Sequence, residues 1–445
     1  MRWPALSAIA ASTAAGRTPA VVWVAQALKR ANDLGVERAG LATVVTARAR
    51  LAAKRIDAAV KDGKHPGLLA GIPIVVKDNI AVAGHVPQDL ARFGCVSAVG
   101  DALCVRRAEA AGAVVVATAQ MAEWAMGVTG VNPHVPVLRH PYRLDRVPGG
   151  SSSGSTVAVA LDVVPVALGT DTGGSVRIPA ALCGVVGYRP GGGVLPSDGV
   201  VPVSPTYDRV GVLARRVADA EFIVRAIGSG PKPKSLGIRE DETTRQLRVG
   251  LVTESLAEVE DPVASAAYRE AILAVDGWIV EEITLEHWAS AAEAAHIQIH
   301  AEAAEIHAER FAKAPELFGP DVRSRLEFGR NLSDRDKAAA DGELRIWRAE
   351  LDACFERFDV LASPTCAAGA PLLDAKLEPQ LIAALSRATY AVSAGLGPAI
   401  SVPCGVDGEG LSIGMQLFVR PGCDGQLIRA ALALEEAVSL AGRGL

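Results

Sequence analysis

The feature that most constrains this chain is a pair of glycine/serine loops bracketing one apolar segment. Pro148-Gly-Gly-Ser-Ser-Ser-Gly-Ser155 opens the pair and Gly169-Thr-Asp-Thr-Gly-Gly-Ser175 closes it. Between them, Val157 to Leu161 reads as a helix and Val163 to Leu168 as a strand. Loop, helix, buried strand and second loop in direct succession point to an α/β sheet.

The flanking sequence extends the pattern. Residues 4–62 show alanine-rich helical spacing, interrupted at Gly16 and over Asn32 to Gly40. Ile72-Pro73-Ile74-Val75-Val76 is a short β-branched strand ending on Lys77. Leu103 to Ala111 reads as helix and Ala113 to Ala117 as a buried strand; Gly184 to Val194 and Ser197 to Val212 read as strand and turn. A linker, Gly228 to Lys234, closes the first half. Residues 240–355 open with a strand at Leu247 to Leu251, then become helical and charged, as a cap would. From Phe358 buried strands return at Val360-Leu361-Ala362, Pro398 to Pro403 and Ser412 to Val419, before an amphipathic helix over Asp424 to Leu440.

Composition narrows the classes. A chain of 445 residues gives a soft prior of about three domains, and with half its residues hydrophobic it can bury a large core. A net charge of −5 offers nothing global to nucleic acid or an anionic membrane. The seven cysteines include no C-x-x-C pair, which fits reduced thiols in a cytoplasm. The apolar run Val157 to Leu168 is interrupted by Asp162 and Pro165 and is too short for a membrane span. Leu6 to Ala11, behind Arg2, reads as a first helix, not a leader.

The chemistry rests on three segments taken together: Gly71 to Asn79 with Lys77, the loop with Ser151, and the turn ending in Ser175. Singly, each reads as a rim lysine, a linker or a turn. Jointly, they supply what a serine nucleophile needs. Serine is weak at its free pKa and requires a base. A lysine serves if burial lowers its pKa, and Lys77 follows an apolar run. The small residues Thr172, Gly173 and Gly174, with Ser175 itself, let backbone N–H groups converge as an oxyanion hole, each donor worth roughly 10²–10³ in rate. Ser151 is placed to pass a proton between Lys77 and Ser175.

These segments resemble the amidase signature family, which uses a Ser–cis-Ser–Lys triad. The stretch from Gly149 to Ala180 is similar to the family's defining motif, and Gly71-Ile-Pro to Lys77-Asp78 to its lysine segment. The resemblance implies Ser175 as nucleophile, Ser151 as the cis residue and Lys77 as base. It also extends to Met121-Ala-Glu123-Trp, a family helix start, and to Phe358-Asp-Val-Leu, Pro398 to Pro403 and Gly414-Met-Gln416. It departs at His140, at Val392 to Gly395, and at Arg189-Pro190-Gly191, which touch supporting loops. The implied fold is a single α/β/α domain over residues 1–445, with a central mixed sheet flanked by helices. Residues 65–215 would form the catalytic core, 240–355 the cap and 356–445 the return to the sheet. The implied activity is hydrolysis of a small-molecule amide, carbamate or ester, with no cofactor, metal, nucleic acid or membrane, by a monomer or homodimer. A second class is a component of a tRNA-dependent amidotransferase.

Other motifs are weaker. Gly150 to Gly154 also fits G-x-S-x-G, which would make Ser152 the nucleophile, but no strand precedes it. Ser229 and Lys232 fit S-x-x-K inside the linker. His296, His300 and His307 share a helical face, yet Ile297 stands where a zinc protease has its glutamate; a partly exposed helix is the expectation. Trp124, Met126, Trp288 and Phe311 could wall an apolar pocket, favouring aryl or alkyl amides. The three glycines Gly191 to Gly193 suggest a mobile loop at the substrate entrance, with Gly191 and Gly192 near substrate. Arg177 reads as structural.

Overall fold

The computed structural model describes residues 2–95, 98, 100–229, 246–376 and 378–440. Ser229 lies at the edge of this set and Lys232 outside it, so the S-x-x-K match and most of the linker fall beyond the described residues.

The purely apolar runs become the middle of one sheet. β1 (Leu41–Val44), β2 (Pro73–Lys77), β3 (Val114–Ala119), β4 (Val166–Asp171), β5 (Val186–Arg189), β6 (Arg209–Ala214), β7 (Leu247–Val252), β8 (Trp278–Ile283), β9 (Val360–Pro364), β10 (Ala399–Val406) and β11 (Ser412–Phe418) line up as β1-β3-β2-β4-β6-β5-β10-β11-β9-β7-β8. β2 pairs parallel with β3 and β4, while β4–β6, β6–β5, β5–β10 and β10–β11 are antiparallel, so the sheet is mixed. β2, β3 and β4 are buried along their whole length because helices cover both faces, which is why they read as continuous apolar runs without alternation.

Sequence and structure differ at defined places. β1 lies inside the stretch read as helices; it is an edge strand with one fully buried residue, so it carries no apolar run to betray it. The strand read at Val163 to Leu168 sits later, at Val166 to Asp171. The segment 240–355 is not uniformly a cap: β7, β8 and the helix Pro262–Leu273 extend the sheet. β8 escapes notice because its residues are only partly buried. Helices Trp288–Ile306, Pro320–Asn331 and Asp334–Arg357 then stack with Pro379–Ala394 over the catalytic end. The expected helix start at Met121 is a single 3₁₀ turn, Glu123–Ala125, with Trp124 at φ 52° and Ala125 at φ 59°. Among the described residues no helix is long and apolar enough to cross a membrane.

The helix Ser153–Ala160 is wholly buried and crosses from β3 to β4. It can approach the sheet this closely because Gly154 has no side chain. A Cβ there would lie 2.1 Å from the Gly40 carbonyl oxygen and 2.6 Å from that of Gln120, both backbone atoms that cannot yield. Gly154→Ala is therefore expected to lose about 1–3 kcal/mol of stability, at the overpacking end of the range, in a chemical denaturation series. A variant as stable as wild type would contradict this packing.

Candidate active site

β2 and β4 are parallel neighbours with Val76 opposite Leu168, so they end at the same rim of the sheet. Open α/β sheets place their sites beyond such carboxyl ends. Lys77 closes β2, and Thr170 and Asp171 close β4.

Lys77 is fully buried. Its Nζ lies 2.8 Å from Ser151 Oγ and 2.7 Å from Thr170 Oγ1. Burial disfavours the ammonium form and brings Lys77 down to about 7, against the opposing pull of Asp171 and Asp208. The peptide bond before Ser151 is cis. Ser152 N donates to the Ser175 carbonyl at 3.0 Å and joins the two glycine/serine loops. The Ser152 hydroxyl is spent on β4: it donates to Thr170 O at 3.1 Å and accepts from Thr170 N at 3.3 Å. Ser152 is buried in this bracing, which leaves no room for the elbow reading.

The turn to Ser175 is wound around Asp171. Its carboxylate accepts from Gly174 N (3.1 Å), Val176 N (3.2 Å), Arg177 Nε (3.0 Å) and Arg177 Nη2 (2.9 Å), with Arg189 Nε at 3.7 Å. Burial alone would raise this carboxyl; Arg177 and Arg189 outweigh it and hold it at about 2. Arg177 also donates to Gln416 Oε1 and Ser393 Oγ, so two departures from the family pattern, Arg189 and the 392–395 segment, meet at this cluster. Thr389 Oγ1 donates to Gly173 O at 2.7 Å, and the Tyr390 ring lies where a Gly173 side chain would be. Asp171 was missed in the sequence; an acidic residue inside the glycine turn, six before a buried arginine, was the available signal.

The four backbone N–H groups expected to converge differ in their partners. Gly174 N–H already serves Asp171, whereas among the described residues no internal hydrogen bond engages the N–H of Thr172, Gly173 or Ser175.

Ser175 opens onto a narrow cavity of about 30 Å³. Met126, Val128, Ile178, Val203 and Ile299 form its apolar wall, and His300, Arg325 and Tyr390 its polar wall. Of the pocket residues read from sequence, only Met126 lines it. Trp124 packs instead against Phe93 (5.6 Å), His307 (4.6 Å) and Phe318 (5.8 Å). Trp288 stacks on Trp347, and Phe311 on Phe318, inside the helical layer. Gly191 is tied by its N–H to Asp424 of the C-terminal helix, and Gly192 lies against Arg209; neither reaches the cavity. The helix is partly exposed, with Glu293 and Glu305 outward; on the histidine face His300 and His307 are buried and His296 is half-buried, its ring 4.0 Å from that of His300. Among the described residues no three potential ligands converge on a metal position. A larger cleft of about 630 Å³ lies at the opposite rim, beside Pro165 and Arg215, away from Ser175.

Fold and site define a mixed-sheet α/β protein whose strand ends gather a buried lysine and two serine-bearing loops. The Amidase family model matches residues 23–428. The glutamyl-tRNA(Gln) amidotransferase component of Symbiobacterium thermophilum is 34% identical over 461 residues, covering 95% of this chain and 94% of the relative. A crystal structure of an amidase superposes with TM-score 0.87 at 30% identity, covering 97% of this chain and 99% of the other. The native peptide amidase of Stenotrophomonas maltophilia gives TM-score 0.80 at 26% identity, covering 98% and 97%. The chain belongs to the amidase signature family.

Two stability outcomes follow from the burial of charge. Asp171→Asn leaves Arg177 and Arg189 buried without their counter-charge and should cost about 3–5 kcal/mol in denaturant unfolding; a loss under 1 kcal/mol would contradict the cluster's role. Lys77→Met removes an amine whose pKa is lowered on folding. Wild-type stability from this group is fully present above the unfolded value and is lost as pH falls toward about 7. The stability of Lys77→Met relative to wild type should therefore be greatest at pH 6–7 and shrink by about 1.4 kcal/mol per pH unit toward pH 10. A difference independent of pH would show that Lys77 folds with an ordinary pKa.

Proposed function

We propose that this chain hydrolyses the carbon–nitrogen bond of a small carboxylic amide through an acyl-enzyme on Ser175, with carbamates and esters as chemically equivalent substrates. The observation that carries the reading is the buried Lys77, held at about 7 and 2.8 Å from Ser151. Neutral Lys77 accepts the Ser151 proton while Ser151 accepts that of Ser175, whose oxygen attacks the substrate carbonyl. The N–H groups of Thr172, Gly173 and Ser175 receive the oxyanion. Collapse breaks the C–N bond, and the proton held on Lys77 returns through Ser151 to the leaving amine. Water then attacks the ester by the same relay, which restores Ser175 and releases the acid. Side chains and backbone amides supply every group, and the protein would act on a free small molecule as a monomer or homodimer.

A second reading is favoured by one observation, the 34% identity to a tRNA-dependent amidotransferase component. In that case the chain would need a partner and an aminoacyl-tRNA to turn over. Hydrolysis of simple primary amides by the purified chain alone supports the first reading; hydrolysis seen only with a partner supports the second.

The catalytic test is a pH–rate profile on one activated amide or ester. The deprotonated form of Lys77 is active, so the rate should climb tenfold per pH unit below about 7 and level off above it. Lys77→Ala and Ser175→Ala should each lose roughly 10³-fold or more, and Ser151→Ala somewhat less because water can bridge. A serine-directed phosphonate should label Ser175. A label on Ser151 or Ser152, or a Lys77→Ala variant that keeps both its rate and its pH dependence, would overturn the assignment.

A further inference from the structure

The cavity beside Ser175 holds one formal charge. Arg325 reaches into it from the helix Pro320–Asn331, with its side chain only 17% exposed. Its Nε donates to Asp321 Oδ2 at 3.1 Å, and the Asp321 side chain is 66% exposed. That contact orients the guanidinium and leaves both Nη groups without a protein hydrogen bond among the described residues. Neither is a sealed, unsatisfied atom, so both remain reachable.

Apart from the Asp321 carboxylate paired with Nε, no acidic side chain is among the residues that line the cavity. The neighbouring His300 cannot carry a competing positive charge: burial, then His296 and Arg325, push it well below the usual range. Its Nδ1 lies 2.8 Å from the His296 carbonyl, which a neutral ring satisfies by donating from that nitrogen. An arginine with two free donors is suited to a planar, bidentate anion. The narrow space and aliphatic wall favour a short chain over an aryl ring. This shifts the substrate away from the aryl amides and neutral alkyl amides that the tryptophans suggested, since those rings lie elsewhere.

We propose that Arg325 is a specificity-determining residue that binds a carboxylate on the substrate, so that the preferred substrate is a short aliphatic amide carrying a carboxylate. The proposal rests on the amide-hydrolase reading for its reaction, but its recognition step can be tested by binding alone. The one hydrogen bond that the Arg325 side chain makes among the described residues goes to an exposed aspartate, so its replacement should leave the fold intact.

The experiment compares malonamate, succinamate and glutaramate with levulinamide, a neutral near-isostere of succinamate. Wild type should favour the best of the three acids over levulinamide by about 10- to 100-fold in kcat/KM, the range of a charge-assisted hydrogen-bond pair. Arg325→Met should bring the acid-to-neutral ratio of kcat/KM down to about one, and Arg325→Lys should restore part of it. In parallel, calorimetry on Ser175→Ala should show binding of the preferred acid that is lost when Arg325→Met is added. Preference of wild type for levulinamide, or an equal loss for acid and neutral amide in Arg325→Met, overturns the proposal. If no amide is turned over, the hydrolase reading fails. The calorimetric arm then still decides this one, since acid binding that does not depend on Arg325 overturns it.

Discussion

Burial of one lysine at the end of β2 is the constraint on which the rest depends. An amine taken wholly out of water is costly when charged, and the fold lowers that cost by letting it lose its proton near neutrality. β2, flanked by two parallel neighbours and covered on both faces, buries this side chain completely at its carboxyl end. The same strand ending presents Lys77 to Thr170 and Ser151, so the desolvation that perturbs the amine also positions it.

A second buried charge organises the other half of the site. Asp171 is the residue after Thr170, and its carboxylate collects backbone N–H groups of the turn as well as Arg177 and Arg189. This network fixes the path of the chain from β4 to Ser175 and takes the Gly174 N–H out of reach of a substrate. It also binds the turn to β11 through Gln416 and to the helix Pro379–Ala394 through Ser393. The strands that return from the far end of the sequence are therefore part of how the Ser175 turn is held.

Much of this was legible in the sequence, for physical reasons. Continuous apolar runs such as Ile72 to Val76 and Ala113 to Ala117 can only be strands buried on both faces or core helices, and the flanking glycines decide between them. The loops around Ser151 and Ser175 stand out because close backbone approach demands small residues, as at Gly154 and Gly173. What stayed hidden depends on tertiary neighbours. β1 and β8 are marginal strands with mixed burial. Trp124, Trp288 and Phe311 looked like pocket walls because hydrophobicity does not distinguish a core from a cavity. Gly191 and Gly192 looked mobile because the aspartate that anchors the loop is Asp424, far along the chain. Arg325 gave no signal at all, since nothing in its local sequence shows that its helix folds over Ser175.

The central claim is that burial lowers Lys77 so that it loses its proton close to pH 7 in the folded protein. The most direct measurement is an NMR titration of protein carrying ¹³Cε-labelled lysine, with the Lys77 resonance assigned by its loss in Lys77→Met. The account predicts that the Lys77 signal titrates with a midpoint of about 7, well below the value of about 10.4 for a free lysine in water. A Lys77 resonance that titrates with the others would contradict it and remove the base from the site.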